Sequence, residues 1–150
     1  MKRYISKTEE QTYQIAAKLA SKLKGGEIIA LQGDLGAGKT IFTKGLAKAL
    51  GMKNQITSPT FVLMKVYPIG HKPSAISQFV HIDCYRLDDA QELFYLGIEE
   101  YLNKKDTIVV IEWADKIKPY LKEFKNIFWL KIAINQEKRS FEINKLDKHK

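Results

Sequence analysis

The sequence has one cysteine, Cys84, so no disulfide can form within the chain. No apolar run approaches the roughly 18 residues that a membrane-spanning helix requires, so no membrane partner is expected. Met1-Lys2-Arg3-Tyr4-Ile5-Ser6 carries no apolar stretch behind its basic pair, so a secretory signal is not expected either. Together these features point to the cytoplasm. One cysteine and three scattered histidines supply no zinc ligand set. Arginine is scarce: of 25 basic residues only Arg3, Arg86 and Arg139 are arginines. The net charge of +8 is thus mostly lysine, whereas bidentate recognition of phosphates and bases favours arginine. The charge alone therefore does not identify a nucleic-acid binder, and the few arginines merit individual attention.

What remains is an ordinary globular composition, 45% hydrophobic and 28% charged over 150 residues. That length fits a single domain spanning residues 1–150. Ser6-Lys7-Thr8-Glu9 and Thr8-Glu9-Glu10-Gln11 both read as capping boxes. Ile15, Leu19 and Leu23 recur at helical spacing, predicting a helix to about residue 24 that Gly25-Gly26 stops. Residues 27–31 form a short apolar strand, a glycine-rich turn follows, and residues 39–50 place Phe42, Leu46 and Leu50 on one helical face. Strands are expected over 61–67, 79–83 and 107–111, with a loop over 68–77 and a helix over 89–102. Residues 127–134 and 139–143 read as a hairpin, and residues 143–150 as a frayed tail. Strands alternating with helices predict an α/β three-layer sandwich with a mostly parallel central sheet.

Gly33-Asp34-Leu35-Gly36-Ala37-Gly38-Lys39-Thr40 matches the phosphate-binding pattern G-x-x-x-x-G-K-[ST] in full. Each fixed residue has a physical task. The glycines let backbone amides turn inward onto phosphate oxygens. The helix that follows points its positive dipole end at them, with Ile41 in its first turn. Lys39 adds a cation at the β- and γ-phosphates, and the Thr40 hydroxyl can ligate Mg²⁺. An apolar strand before the loop and an amphipathic helix after it supply the required context. These residues make the chain a P-loop NTPase with ATP and Mg²⁺ as its expected ligands.

Such a site needs a carboxylate on the metal side, at the end of a buried strand. Glu112 follows Ile108-Val109-Val110-Ile111, and Asp83 follows Phe79-Val80-His81-Ile82. In an open α/β sheet the carboxyl ends of the strands line the ligand crevice, so both acids are candidates to face the phosphates. One would hold Mg²⁺ and the other orient the attacking water. Ser58-Pro59-Thr60 is a candidate switch loop and Arg86 a candidate phosphate partner. Trp113, His81 and Cys84 are most simply packing residues. Asn144-Lys145-Leu146-Asp147 fits the N-K-x-D pattern of guanine-specific GTPases, but no D-x-x-G occurs in the chain and only three residues follow. A small-molecule kinase is the rival reading, yet only Arg86 and Arg139 follow the P-loop where such kinases use several arginines.

Taken together, the P-loop, Ser58-Pro59-Thr60-Phe61, His81-Ile82-Asp83-Cys84-Tyr85-Arg86-Leu87, Glu92 with Leu96-Gly97, and Ile111-Glu112-Trp113 resemble the TsaE (YjeE) family in order and spacing. The resemblance runs over residues 6–143. It departs at Ile41, where the family usually has threonine, and at Cys84, where it usually has an apolar residue. It implies the ATPase of bacterial tRNA threonylcarbamoyladenosine synthesis, acting with TsaB and TsaD and touching tRNA through that complex. Hydrolysis would reset the complex between turnovers. By the same resemblance Thr40 and Glu112 are the Mg²⁺ ligands, Asp83 is needed for hydrolysis, the segment around Glu9 lies near the adenine, and Lys138-Arg139 close over the nucleotide.

Overall fold

In the computed structural model, which describes residues 1–57, 63–70 and 75–146, a seven-stranded sheet is covered on both faces. The strands are β1 (Lys2–Ser6), β2 (Ile28–Gln32), β3 (Met64–Pro68), β4 (Gln78–Asp83), β5 (Thr107–Glu112), β6 (Ile127–Asn135) and β7 (Lys138–Leu146). The helices are α1 (Glu9–Ala20), α2 (Lys39–Ala49), α3 (Gln91–Tyr95) and α4 (Lys118–Leu121), with short 3₁₀ turns at Ile98–Glu100 and Ala114–Ile117. Spatial order is β1-β7-β6-β2-β5-β4-β3. The centre, β6-β2-β5-β4, is parallel, and β1, β7 and β3 add antiparallel edges. The expected three-layer α/β architecture is therefore present, with a more mixed sheet.

β5 sits in the parallel centre because every residue of Thr107–Glu112 can be buried, and all six are. One face carries α1 and α2 over Ile29, Leu31, Phe79, Val110 and Leu130, with Phe42 stacked 5.7 Å from Phe141. The other face packs Leu93, Ile98, Ile117 and Leu121 over Ile28, Ala30, Ile82, Val109 and Ile111. Each fully buried aliphatic or phenyl side chain contributes about 1.5–3 kcal/mol. Among the described residues no helix is long and apolar enough to cross a membrane.

Several expectations need correction. Lys2–Ser6 forms an edge strand, paired with β7 from Lys2↔Ile143 to Ser6↔Arg139. Ser6 is accordingly not a helix cap; its hydroxyl is buried against Thr12 at 2.8 Å. Thr8 is the cap and accepts the Gln11 amide at 3.1 Å, while Gln11 Oε1 accepts the Lys7 amide at 2.7 Å. α1 ends at Ala20, and tighter i→i+3 bonds carry the chain through Leu23. The helix expected over 89–102 is broken by Gly97 at φ 77°, leaving α3 and a 3₁₀ turn. The first four residues of the expected frayed tail, 143–146, continue β7 opposite Ile127 to Leu130. The Ser58-Pro59-Thr60-Phe61 loop and Asp147 lie outside the described residues.

α1 and α2 meet where Gly45 faces Tyr13. A Cβ built at Gly45 would lie 2.7 Å from the Tyr13 ring and 3.1 Å from its Cα. Glycine to alanine inside a helix ordinarily stabilises by about 1 kcal/mol. Here the backbone contact outweighs that gain, since overpacking costs about 1–3 kcal/mol. Gly45→Ala is expected to lower the urea unfolding midpoint; a midpoint at or above that of the unsubstituted chain would contradict the tight crossing.

Candidate functional site

The glycine-rich turn leaves β2 at Gln32 and enters α2 at Lys39, at the carboxyl end of the parallel strands. Gly33 is required by proximity: a Cβ there would be 2.5 Å from the Ile132 carbonyl of β6. Gly38 is required by conformation, with φ 112°, and also by crowding, since a Cβ would be 3.0 Å from Arg139 Nε. Arg139 donates from Nε to the Ala37 carbonyl at 3.1 Å, so β7 braces the turn from outside.

Lys39 is buried, and its ammonium donates to the carbonyls of Gly33 at 2.5 Å and Asp34 at 2.8 Å. It also lies 4.0 Å from the centre of the Trp113 ring. Burial pulls its pKa below the usual lysine value, against the attraction of Glu112, Asp83, Asp115 and Asp34. Trp113 reaches this position from a left-handed backbone, φ 57° and ψ 39°, and its ring packs 5.1 Å from Tyr85.

The two strand-end acids stand side by side, because parallel pairing of β4 with β5 puts Asp83 opposite Glu112. Glu112 is 3% exposed. Thr40 Oγ1 lies 3.1 and 3.2 Å from its two oxygens, His81 Nε2 is 3.0 Å from Oε1, and Thr43 Oγ1 is 3.4 Å from Oε1. Asp83 is half-buried and accepts the Tyr85 amide at 2.9 Å. Burial raises its pKa above the usual carboxylate value; the Tyr85 bond opposes this and the Glu112 charge adds to it. Burial likewise pushes the Cys84 thiol up to about 12, which suits a packing residue.

Of the residues singled out from sequence, Leu35, Gly36, Gly38, Lys39, Thr40, Ile41, Asp83, Glu112 and Trp113 line one open pocket of about 280 Å³, together with Tyr85. Gly33 and Asp34 hold Lys39, and Ala37 receives Arg139. Glu9 is exposed at the start of α1, and Arg86 is exposed after β4; neither lines the pocket. Ser58 and Thr60 lie outside the described residues. Tyr85, Thr43 and His81 were not read as site residues. His81 and Asp83 are two apart on one strand and so share a face, and Thr43 is one helical turn beyond Thr40; those spacings carried the signal.

The donor set suits a hard cation. A threonine hydroxyl and a carboxylate converge, and among the described residues no cluster of three His, Cys, Asp or Glu side chains could form an all-protein metal cage. Mg²⁺ is bound in this manner, through few protein oxygens plus phosphate and water.

Comparison with known proteins identifies the family. The sequence model of the family "Threonylcarbamoyl adenosine biosynthesis protein TsaE" matches residues 6–143. The tRNA threonylcarbamoyladenosine biosynthesis protein TsaE of Aquifex aeolicus is 40% identical over 121 residues, covering 79% of this chain and 81% of that one. Its namesake from Bacillus subtilis is 41% identical over 112 residues, covering 75% of this chain and 66% of that protein. The protein of that name from Treponema pallidum is 36% identical over 122 residues, covering 81% and 85%. Among solved structures, the crystal structure of Bacillus subtilis YdiB superposes with a TM-score of 0.67 at 28% identity, covering 95% of this chain and 83% of that one.

The raised pKa of Asp83 has a signed consequence for stability. A carboxyl that holds its proton more tightly when folded contributes most below the ordinary carboxylate pKa, and that contribution is lost as pH rises through the folded value. Asp83→Asn removes the charge while keeping an oxygen for the Tyr85 amide. The variant is expected to melt above the unsubstituted chain at pH 7, with the difference shrinking as pH falls through the raised folded value and gone below about 4. Identical melting curves across that range would show that Asp83 carries no such penalty.

Proposed function

The chain belongs to the TsaE family of threonylcarbamoyl adenosine biosynthesis proteins, and we propose that within this pathway it is the Mg²⁺-dependent, ATP-binding and slowly ATP-hydrolysing subunit acting on a TsaB–TsaD complex in the cytoplasm. The observation that carries the nucleotide reading is the convergence of the P-loop with a buried carboxylate, Thr40 Oγ1 standing 3.1 Å from Glu112. The partner proteins and the indirect contact with tRNA rest on the family's place in the pathway.

In this reading the amides of residues 33–40 cradle the β- and γ-phosphates, and Lys39 supplies a fixed cation beside them. Thr40 and Glu112 hold Mg²⁺, which neutralises charge on the phosphates when bound. Asp83, with its affinity for a proton raised by burial, orients the attacking water and takes up its proton. Trp113 and Tyr85 line the pocket, and the Trp113 ring packs against the Lys39 ammonium. Arg139 holds the turn in shape through Ala37, so that the cradle is pre-organised. Glu9, at the start of α1, is the candidate for the adenine side. Among the described residues few free cations stand near the pocket: Lys39 is engaged, Arg139 is engaged, and Arg86 is exposed outside it. Slow solitary turnover follows, with acceleration when a partner repositions Asp83, Arg86 and Trp113.

Lys39→Ala is expected to abolish tight ATP binding, because among the described residues no other cationic side chain lines the pocket. Calorimetry giving an unchanged affinity would remove this phosphate site. Glu112→Gln should raise the Mg²⁺ needed for half-saturation more than it weakens metal-free nucleotide binding.

Turnover tests the coupling. ATP hydrolysis by the chain alone should be slow and should rise with both partners and tRNA present; in related NTPases a supplied arginine is worth about 10³–10⁵ in rate. Asp83→Ala should bind ATP and join the partners without turning over. Equal rates under all conditions would overturn the coupling and leave nucleotide binding intact.

A further inference from the structure

His81 is wholly buried on β4, two residues before Asp83 and on the same face of the strand. Its Nε2 is 3.0 Å from Glu112 Oε1. An ionised carboxylate only accepts, so Nε2 carries the proton and donates it. Nδ1 has no hydrogen-bond partner among the described residues, so this one bond is what fixes the ring's tautomer.

Of the two threonines near Glu112, one is committed elsewhere and the other is shared between its oxygens. Thr43 Oγ1 is 2.8 Å from the Lys39 carbonyl and 3.4 Å from Oε1, so its single proton goes to the carbonyl. Thr40 Oγ1 straddles both carboxylate oxygens at 3.1 and 3.2 Å. Among the described residues His81 is therefore the one short, undivided donor to Oε1, and it comes from the sheet rather than from the phosphate-loop helix. Among the same residues Thr40 is the one donor that reaches Oε2.

We propose that His81 is a positioning residue for the metal-side carboxylate: its Nε2–H pins Oε1 of Glu112 and so turns Oε2 toward Thr40 and a divalent cation. This rests on the nucleotide reading above. Outer partners of a ligating carboxylate fix its orientation, and their loss typically costs about 10–100-fold in metal affinity or activity. His81 touches neither phosphate nor metal and acts only through Glu112.

The test uses the full chain and reads ATP binding by calorimetry, first with chelator and then along a Mg²⁺ titration. His81→Phe keeps the ring volume and removes the donor. It should leave metal-free ATP affinity within about twofold and raise half-saturating Mg²⁺ by about 10–100-fold. His81→Gln places an amide N–H near the lost Nε2 and should recover most of the loss, whereas the shorter His81→Asn should not. In a Glu112→Ala background, His81→Phe should have no further effect on the Mg²⁺ titration. An unchanged Mg²⁺ titration for His81→Phe overturns the proposal, as does a full-sized His81→Phe effect in the Glu112→Ala background. Should His81→Phe fail to fold, the Gln and Asn variants decide: equal titrations overturn the proposal. Failure of the unsubstituted chain to bind ATP with Mg²⁺ would instead sink the nucleotide reading. The His81–Glu112 contact has its own readout in ¹⁵N spectra of the ligand-free protein. Nε2 should be protonated and should shift in Glu112→Gln; a ring indifferent to that substitution overturns the positioning role.

Discussion

The buried carboxylate of Glu112 is the group that the rest of the site is organised to satisfy. A carboxylate withdrawn from water costs several kcal/mol unless donors meet it. Here they come from two directions: Thr40 in the first turn of α2, and His81 on the neighbouring strand β4. That demand constrains the fold. β5 must lie between β2 and β4, with Glu112 level with Leu31 on one side and Asp83 on the other. A slip of one residue in β5 would turn Glu112 to the opposite face and put an isoleucine or tryptophan under Thr40. The parallel register is thus as much a part of the site as the side chains.

The same arrangement works against stability in several places. Lys39 is desolvated, Asp83 is held where its charge is disfavoured, and His81 leaves a ring nitrogen unpartnered among the described residues. Trp113 occupies a left-handed backbone conformation, which costs a non-glycine residue about 1–3 kcal/mol. These sit within one pocket and the strand beneath it, while the two hydrophobic layers on either side of the sheet are filled by aliphatic and aromatic side chains. Concentrating strained and desolvated groups where a ligand's charge would relieve them is the usual compromise between function and stability.

Much of this was legible from the chain because it is locally encoded. The glycine spacing of residues 33–38 declares a phosphate turn wherever it occurs between strand and helix, and five consecutive strand-forming residues ending in Glu112 declare a central strand. Both acids were identifiable at strand ends for the same reason. β1 was not, because Lys2–Ser6 is a short, largely exposed edge strand whose partner lies far along the chain. Nor was the continuation of β7 through Leu146, which depends on β6 rather than on its own polar sequence. The break after α3 turns on Gly97 taking a positive φ, which helical periodicity does not register. His81 and Thr43 were missed since neither has a task until β4, β5 and α2 are assembled around one carboxylate.

β1 finds its partner only in β7, and β7 also delivers Arg139 to the back of the phosphate turn, level with Ser6. For a chain made and folded from its amino end, α1, β2, the turn and α2 emerge early, but the first strand stays unpaired and the turn unbraced until the hairpin of β6 and β7 has been synthesised. Parallel β2 must likewise wait for both its neighbours, β5 and β6. Contacts this distant in sequence slow folding, since chain closure must precede any gain from pairing. A nascent or prematurely terminated chain would display the glycine-rich turn without its guanidinium clamp. Competence at the pocket is thereby deferred until β7 has been made.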